Sequence, residues 1–146
     1  MAQCVQNELI SRIKSAKYYG IILDSTPDIA HNDQMSLVVR YVEIDYHTGN
    51  VEICESFLGF VTIAAHDAES LTNLITQTLE RLGLPVKDMR AQCYDNASVM
   101  SGQHSGVQAR IISINKNATT VSLSFEDVVK SFANAKARKV HFGVDE

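Results

Sequence analysis

The stretch Tyr18-Tyr19-Gly20-Ile21-Ile22-Leu23-Asp24-Ser25-Thr26-Pro27 decides how the sheet of this protein is built. Its first six residues carry no charge, and an unbroken apolar run is typical of a strand that is covered on both faces. Because proline donates no hydrogen bond and restricts the residue before it, we expect Thr26-Pro27 to stop the strand. The sequence therefore predicts a central strand over 18–24 that ends at a carboxylate, Asp24.

The segments that flank this strand predict an antiparallel meander and two helices. Apolar residues at helical spacing predict a first helix over 5–17. Strands over 35–45 and 51–63 follow, and their short connections favour antiparallel pairing. Asp67 is a good N-terminal cap for a second helix, which Gly83 and Pro85 would end.

A fourth strand over 89–95 also ends at an aspartate, Asp95, and a third helix is predicted from Val107. A strand that is reached through a helix is normally parallel to an earlier strand, by a right-handed crossover. The predicted fold class is therefore α/β, with a mixed sheet of three antiparallel strands, a helix, a parallel strand and a helix.

Composition excludes several classes of protein. The chain has 146 residues, 45% of them hydrophobic, and a net charge of −4, so it lacks the basic excess of proteins that bind phosphates without sequence preference. Its three cysteines form no CxxC pair, and its five histidines show no zinc-ligand spacing. No apolar run approaches membrane-spanning length. We expect a soluble intracellular protein of the nucleus or cytoplasm, with no membrane partner.

The two aspartates at strand ends are the candidate catalytic and metal-binding residues. If the first and fourth strands are adjacent and parallel, they lie about 4.8 Å apart. Asp24 and Asp95 could then share Mg²⁺ or Mn²⁺, which prefer oxygen ligands. Such ions can position an attacking water and stabilise the leaving oxygen of a phosphodiester. The alternative is that each aspartate only forms a turn, which is common for this residue type.

Several segments together resemble the transposase-derived domain of zinc-finger MYM-type proteins, within the hAT transposase superfamily. The resemblance covers roughly residues 5–118. It is carried by Asn7-Glu8-Leu9-Ile10, Ala16-Lys17-Tyr18-Tyr19, Ile21-Ile22-Leu23-Asp24-Ser25-Thr26-Pro27-Asp28-Ile29, Gln34-Met35-Ser36-Leu37, Arg40-Tyr41-Val42 and Tyr94-Asp95-Asn96-Ala97-Ser98-Val99-Met100-Ser101-Gly102. It implies a ribonuclease H-like fold, and it implies that Asp24 and Asp95 match the first two acids of a three-carboxylate catalytic site.

The family pattern breaks off after Ala118. We therefore expect a partial ribonuclease H-like domain over 1–118, truncated on its C-terminal side, and a divergent tail over 119–146 that is partly helical or disordered. The family's third acid and its amino-terminal zinc finger are not recognisable. The expected function is that of a transposase fragment, ancestrally cleaving and transferring DNA strands with a metal but inactive alone.

The alternative function is a domesticated, non-catalytic protein-interaction module on the same fold, related to transcription or chromatin. The expected partners are DNA, through a full-length parent protein, and other proteins or a second copy of the chain. The third acid separates the two functions, because only catalysis requires it.

Overall fold

A computed structural model of the chain describes residues 2–27, 33–94, 100 and 105–121, and it shows one mixed sheet with helices. The strands take the order β3-β2-β1-β4-β5. The elements in chain order are α1 (Ala2–Ala16), β1 (Tyr19–Pro27), β2 (Asp33–Ile44), β3 (Val51–Thr62), α2 (Ala68–Arg81), a 3₁₀ turn (Val86–Asp88), β4 (Met89–Tyr94), α3 (Val107–Ile114) and β5 (Thr119–Thr120). The predicted α/β class and the predicted order of elements are confirmed.

Strand β1 is the centre of the sheet, and it has a different partner on each side. It pairs with β2 in antiparallel fashion from Tyr19 to Pro27, and with β4 in parallel fashion from Tyr19 to Leu23. The strand extends three residues past its expected end at Asp24, to Pro27. The last described pair of the parallel ladder, Leu23 with Tyr94, lies just before Asp24, where the sequence changes from apolar to polar. From Asp24 to Pro27 the described partner of β1 is β2.

One face of the sheet packs against all three described helices, and we call it the helix-covered face. Tyr19, Ile21 and Leu23 of β1 lie on it and are almost completely buried. The helices contribute apolar residues to the same cluster, among them Ile13 of α1, Leu71, Ile75 and Leu79 of α2, and Val107 and Ile111 of α3. Burying a side chain of this size contributes about 1.5–3 kcal/mol, so this layer dominates the stability of the domain.

The opposite face, which we call the second face, has no described helix against it. Because side chains alternate along a strand, the paired residues Ile22, Val38, Phe57 and Cys93 form one row across this face. Beside the row, Val42 and Ala91 pack in a small separate cluster with Val121.

Strand β3 lies at the edge of the sheet and turns its more polar residues inward. Side chains alternate along this strand, with Cys54 and Ser56 on one side and Ile53 and Phe57 on the other. Ser56 is buried and hydrogen-bonded to the Tyr41 hydroxyl, with 3.1 Å between the oxygens, whereas the Phe57 side chain is 50% exposed. The outward face of β3 is therefore unusually apolar.

Local contacts fix the start of α2 and its exit toward β4. The Asp67 carboxylate accepts a hydrogen bond from the Ser70 amide at 2.8 Å, as expected of a helix cap. After the helix, Gly83 adopts a φ of 70°, a left-handed conformation that favours glycine. The buried Tyr19 hydroxyl donates to the carbonyl oxygens of Leu84 and Pro85, at 3.3 Å and 3.1 Å. These contacts direct the chain into β4 beside β1.

Candidate functional site

Asp24 is an exposed residue of the central strand. It pairs with Ser36 of β2, whose hydroxyl donates to the Asp24 carbonyl oxygen at 3.2 Å. Strand alternation places its side chain on the second face, on the same side as Ile22. The carboxylate is thus held on a strand that is paired through its backbone, and solvent reaches it.

The parallel ladder brings the residue before Asp24 beside the residue before Asp95. Leu23 and Tyr94 are partners in the register of β1 and β4. The prediction that these strands are adjacent and parallel is confirmed. Asp95 itself lies outside the described residues, so its joint use with Asp24 stays a prediction.

A buried hydrogen-bond network holds the end of β4. The Gln92 side chain is fully buried, and its Nε2 donates to the Ala118 carbonyl at 2.8 Å and to the Gln108 carbonyl at 3.3 Å. Its Oε1 accepts the Tyr94 hydroxyl at 2.5 Å. Burial raises the pKa of Tyr94 well above its ordinary value, so this hydroxyl stays a donor at neutral pH. The network ties the strand that precedes Asp95 to α3.

Sequence reasoning did not single out Gln92. The signal that could have found it is a long amide side chain in the middle of a strand that is expected to lie next to the central strand. A buried amide needs partners for its donors and its acceptor, and this position meets that need.

The donor chemistry of Asp24 suits Mg²⁺ or Mn²⁺, but the described residues supply only one carboxylate at this point. One carboxylate cannot fix such an ion, which takes several oxygen ligands. The expected metal site is therefore compatible with the strand geometry and rests on Asp95 for its second ligand.

A second group of potential ligands, Glu43, Glu52 and Cys54, lies on β2 and β3 near the start of β1. One ligand atom from each lies within 4.8 Å of the others. Arg12 already binds Glu43 with two hydrogen bonds, at 2.7 Å and 2.8 Å. Burial and the two glutamates raise the pKa of the Cys54 thiol, which disfavours the thiolate that a metal would need. The group is best explained as two facing glutamates, one of which an arginine neutralises.

A groove of about 850 Å³ lies between α1 and the β2–β3 hairpin, next to this group. Its charged lining residues are Glu8, Arg12, Glu43, Asp45 and Glu52. The Asp45 carboxylate accepts hydrogen bonds from the backbone of His47 and from Thr48, which lower its pKa. Asp24 does not line the groove, so this cavity is separate from the predicted metal site.

The sheet is mixed and five-stranded, and its central strand, which carries Asp24, has a parallel neighbour on one side. This arrangement defines an RNase-like α/β domain. The comparison with protein families agrees with this class. The chain belongs to the DUF4371 family, described as the ZMYM1/FAM200 RNase-like domain, which matches residues 1–106. The resemblance expected from the sequence motifs is confirmed.

Two curated relatives carry the same printed name, 52 kDa repressor of the inhibitor of the protein kinase. The human protein is 28% identical over 110 residues, and the mouse protein is 30% identical over 110 residues. Each match covers 75% of this chain and 14% of the relative, so the chain spans about one seventh of their length. None of the described helices has the length and apolar character needed to cross a membrane.

Proposed function

We propose that this chain is an hAT-type, transposase-derived domain that is inactive in strand cleavage by itself. The observation that carries the proposal is the parallel pairing of Leu23 with Tyr94, because each of these residues is followed by an aspartate. The family description as an RNase-like domain supports it. DNA binding and a nuclear location would belong to a longer parent protein.

The expected inactivity follows from the chemistry of the site. Asp24 and Asp95 can supply two carboxylates, and a metal held there would supply activation of a water for attack on a phosphodiester. Two carboxylates without a third acid would hold such an ion weakly. The protein's own contribution is to hold β1 and β4 in a register that pairs Leu23 with Tyr94, the residues that precede the two aspartates.

The test separates metal binding from activity. Mn²⁺ titrated into isotope-labelled protein should broaden the NMR signals of residues near Leu23 and Tyr94, and Asp24→Asn should abolish this effect. Glu80→Gln, which removes an exposed carboxylate of α2, is the matched control and should leave the broadening unchanged. No broadening beyond that at other exposed acids would refute the metal site.

Strand cleavage is measured with the same proteins on terminal-repeat DNA in Mg²⁺ or Mn²⁺. We expect none. Cleavage that is lost in both Asp24→Asn and Asp95→Asn, and retained in Glu80→Gln, would overturn the proposed inactivity while supporting the site.

The alternative function, a non-catalytic interaction module, is favoured by the exposed aromatic pair on β3. Phe57 and Phe60 are 50% and 61% exposed, and their rings meet edge to face at 5.1 Å. Exposed apolar patches of this kind often mark protein contacts.

In sedimentation experiments, Phe57→Lys with Phe60→Lys should weaken self-association, whereas Tyr46→Lys, at a more exposed aromatic residue, should not. Equal behaviour of the two variants would argue against this surface.

A further inference from the structure

Strand β3 lies at one end of the described sheet, so its outer edge has no described strand beside it. The Asp45 amide donates to the Asn50 carbonyl at 2.9 Å, where the ladder between β2 and β3 begins. Because bonded and unbonded pairs alternate along an antiparallel ladder, every second residue of β3 directs its amide and carbonyl away from β2. We call these outward backbone groups the open edge, and they belong to Val51, Ile53, Glu55 and Phe57.

The open edge is regular up to Phe57 and ends at a bulge. The register between β2 and β3 shifts there, and Leu58 has no partner residue in β2. The Gln6 side chain of α1 donates to the Leu58 carbonyl at 2.8 Å, so this backbone group is already bonded. Bulges interrupt pairing with a further strand. An added strand would therefore pair with residues 51–57.

On the second face of the sheet, the side chains of the open edge are apolar or neutralised. Val51 is 64% exposed and Ile53 is 40% exposed. Glu55 lies on the same face and forms an ion pair with the buried Arg40 of β2. A strand placed about 4.8 Å from β3 would cover Val51 and Ile53 with its own side chains. Apolar side chains are therefore the best neighbours on this face.

On the helix-covered face, negative charge borders the open edge. Glu52 is exposed and lies directly opposite Glu43 in the register of the two strands. Like charges in this position destabilise a pair of strands. Arg12 neutralises Glu43, whereas none of the ion pairs among the described residues includes Glu52. A lysine or arginine beside Glu52 on an added strand would offset this repulsion.

We propose that the open edge binds an extended segment of another protein by strand addition, with apolar residues beside Val51 and Ile53 and basic residues beside Glu52. In this mode backbone hydrogen bonds supply affinity, and alternate side chains supply specificity. A second copy of β3 does not match, because the strand has two glutamates and no basic residue. The proposal is independent of the proposed metal site, and it uses the backbone of β3 rather than the exposed phenylalanine rings.

The test uses the full chain and the synthetic peptide acetyl-Lys-Val-Lys-Val-Lys-Val-Lys-amide. In the free protein, amide exchange should be fast at Val51 and Ile53, which face outward, and slow at Glu52 and Cys54, which face β2. Saturating peptide should slow exchange at Val51 and Ile53 by about ten-fold or more, because their amides gain acceptors. The fully N-methylated peptide carries the same charges and apolar groups but donates no hydrogen bond, and it should bind at least about ten-fold more weakly.

Two protein variants with matched controls separate the backbone from the charge. Ile53→Pro removes one outward amide, which edge strands tolerate, and should raise the peptide Kd about ten-fold, whereas Ile53→Val keeps the amide and should not. Glu52→Lys should also raise the Kd about ten-fold. Glu80→Lys on α2 changes the net charge equally and should alter the Kd by less than about two-fold at physiological salt, where distant charges are screened.

Three results would overturn the proposal. No peptide binding, or equal binding of the peptide and its N-methylated form, would exclude strand addition. Equal exchange of the Val51 and Glu52 amides in the free protein would show that the edge is already paired, and dependence of that protection on protein concentration would identify a second copy as the occupant. Equal Kd values for Glu52→Lys and Glu80→Lys would exclude the charge recognition. If Ile53→Pro does not fold, the comparison of the two peptides on the unaltered chain decides.

Discussion

The buried network of Gln92 and Tyr94 makes a quantitative prediction for a double-mutant cycle. Tyr94→Phe removes the hydroxyl that bonds Gln92 Oε1 and leaves this buried acceptor without that donor. The expected cost is about 1–3 kcal/mol in the free energy of unfolding. Gln92→Leu deprives two buried groups, the Tyr94 hydroxyl and the Ala118 carbonyl, of their partner, and should cost about 2–6 kcal/mol.

The two costs should not add. In the double variant the Tyr94 hydroxyl is already gone, so Gln92→Leu can no longer leave it unpaired. We expect the double variant to be more stable than the sum of the single effects by about 1 kcal/mol. Far-UV circular dichroism in urea is the appropriate assay, because the chain contains no tryptophan.

Tyr46→Phe provides the control for this cycle. Tyr46 is 85% exposed, so losing its hydroxyl should change the free energy of unfolding by less than about 0.5 kcal/mol. Additivity of Tyr94→Phe and Gln92→Leu within about 0.3 kcal/mol would refute the network as the support of β4.

Two further predictions concern the core and the α2 exit. Burial raises the pKa of Tyr19 and Tyr94 above the ordinary 10.0, so their contribution to stability is complete below pH 10 and is lost as pH rises toward the folded pKa. Ultraviolet titration should show that neither phenol ionises before the protein unfolds. Gly49→Ala meets no neighbouring atom and should cost about 1–2 kcal/mol in urea unfolding, for the left-handed backbone alone. Gly83→Ala has the same backbone cost at a φ of 70°, and it should cost more than Gly49→Ala because its Cβ would lie 2.7 Å from Lys14 Nζ, which must move.

The central strand could be predicted from sequence because its cause is local. The run Ile21-Ile22-Leu23 has no polar residue to place on either face, so it had to lie inside the sheet. The same holds for α2, because residues next to the helix determine its ends: Asp67 caps the start and Gly83 allows the exit. These are the elements for which the expectation and the structure agree best.

Other features depend on contacts between distant segments. The β1 strand continues to Pro27 because β2 pairs with it there, which proline's own preferences do not indicate. The outward position of Phe57 follows from the bond between Ser56 and Tyr41, which lie on different strands. The candidate metal site was predicted from Asp24 and the family motif. The hydrogen bonds by which Gln92 holds β4 could not be predicted in this way, because their partners lie in α3 and at Ala118, far along the chain.

The two neighbours of β1 also determine the order in which its strand pairs can form during folding. Its pairing with β2 joins segments that are close in sequence, whereas its pairing with β4 closes a loop of about 70 residues. Contacts of such long range form slowly, and they cannot form during synthesis until Tyr94 has left the ribosome. Until then, the most apolar strand of the protein has one edge whose backbone groups are not paired with another strand. The nascent chain is therefore most prone to aggregation in the interval between the emergence of β3 and that of β4.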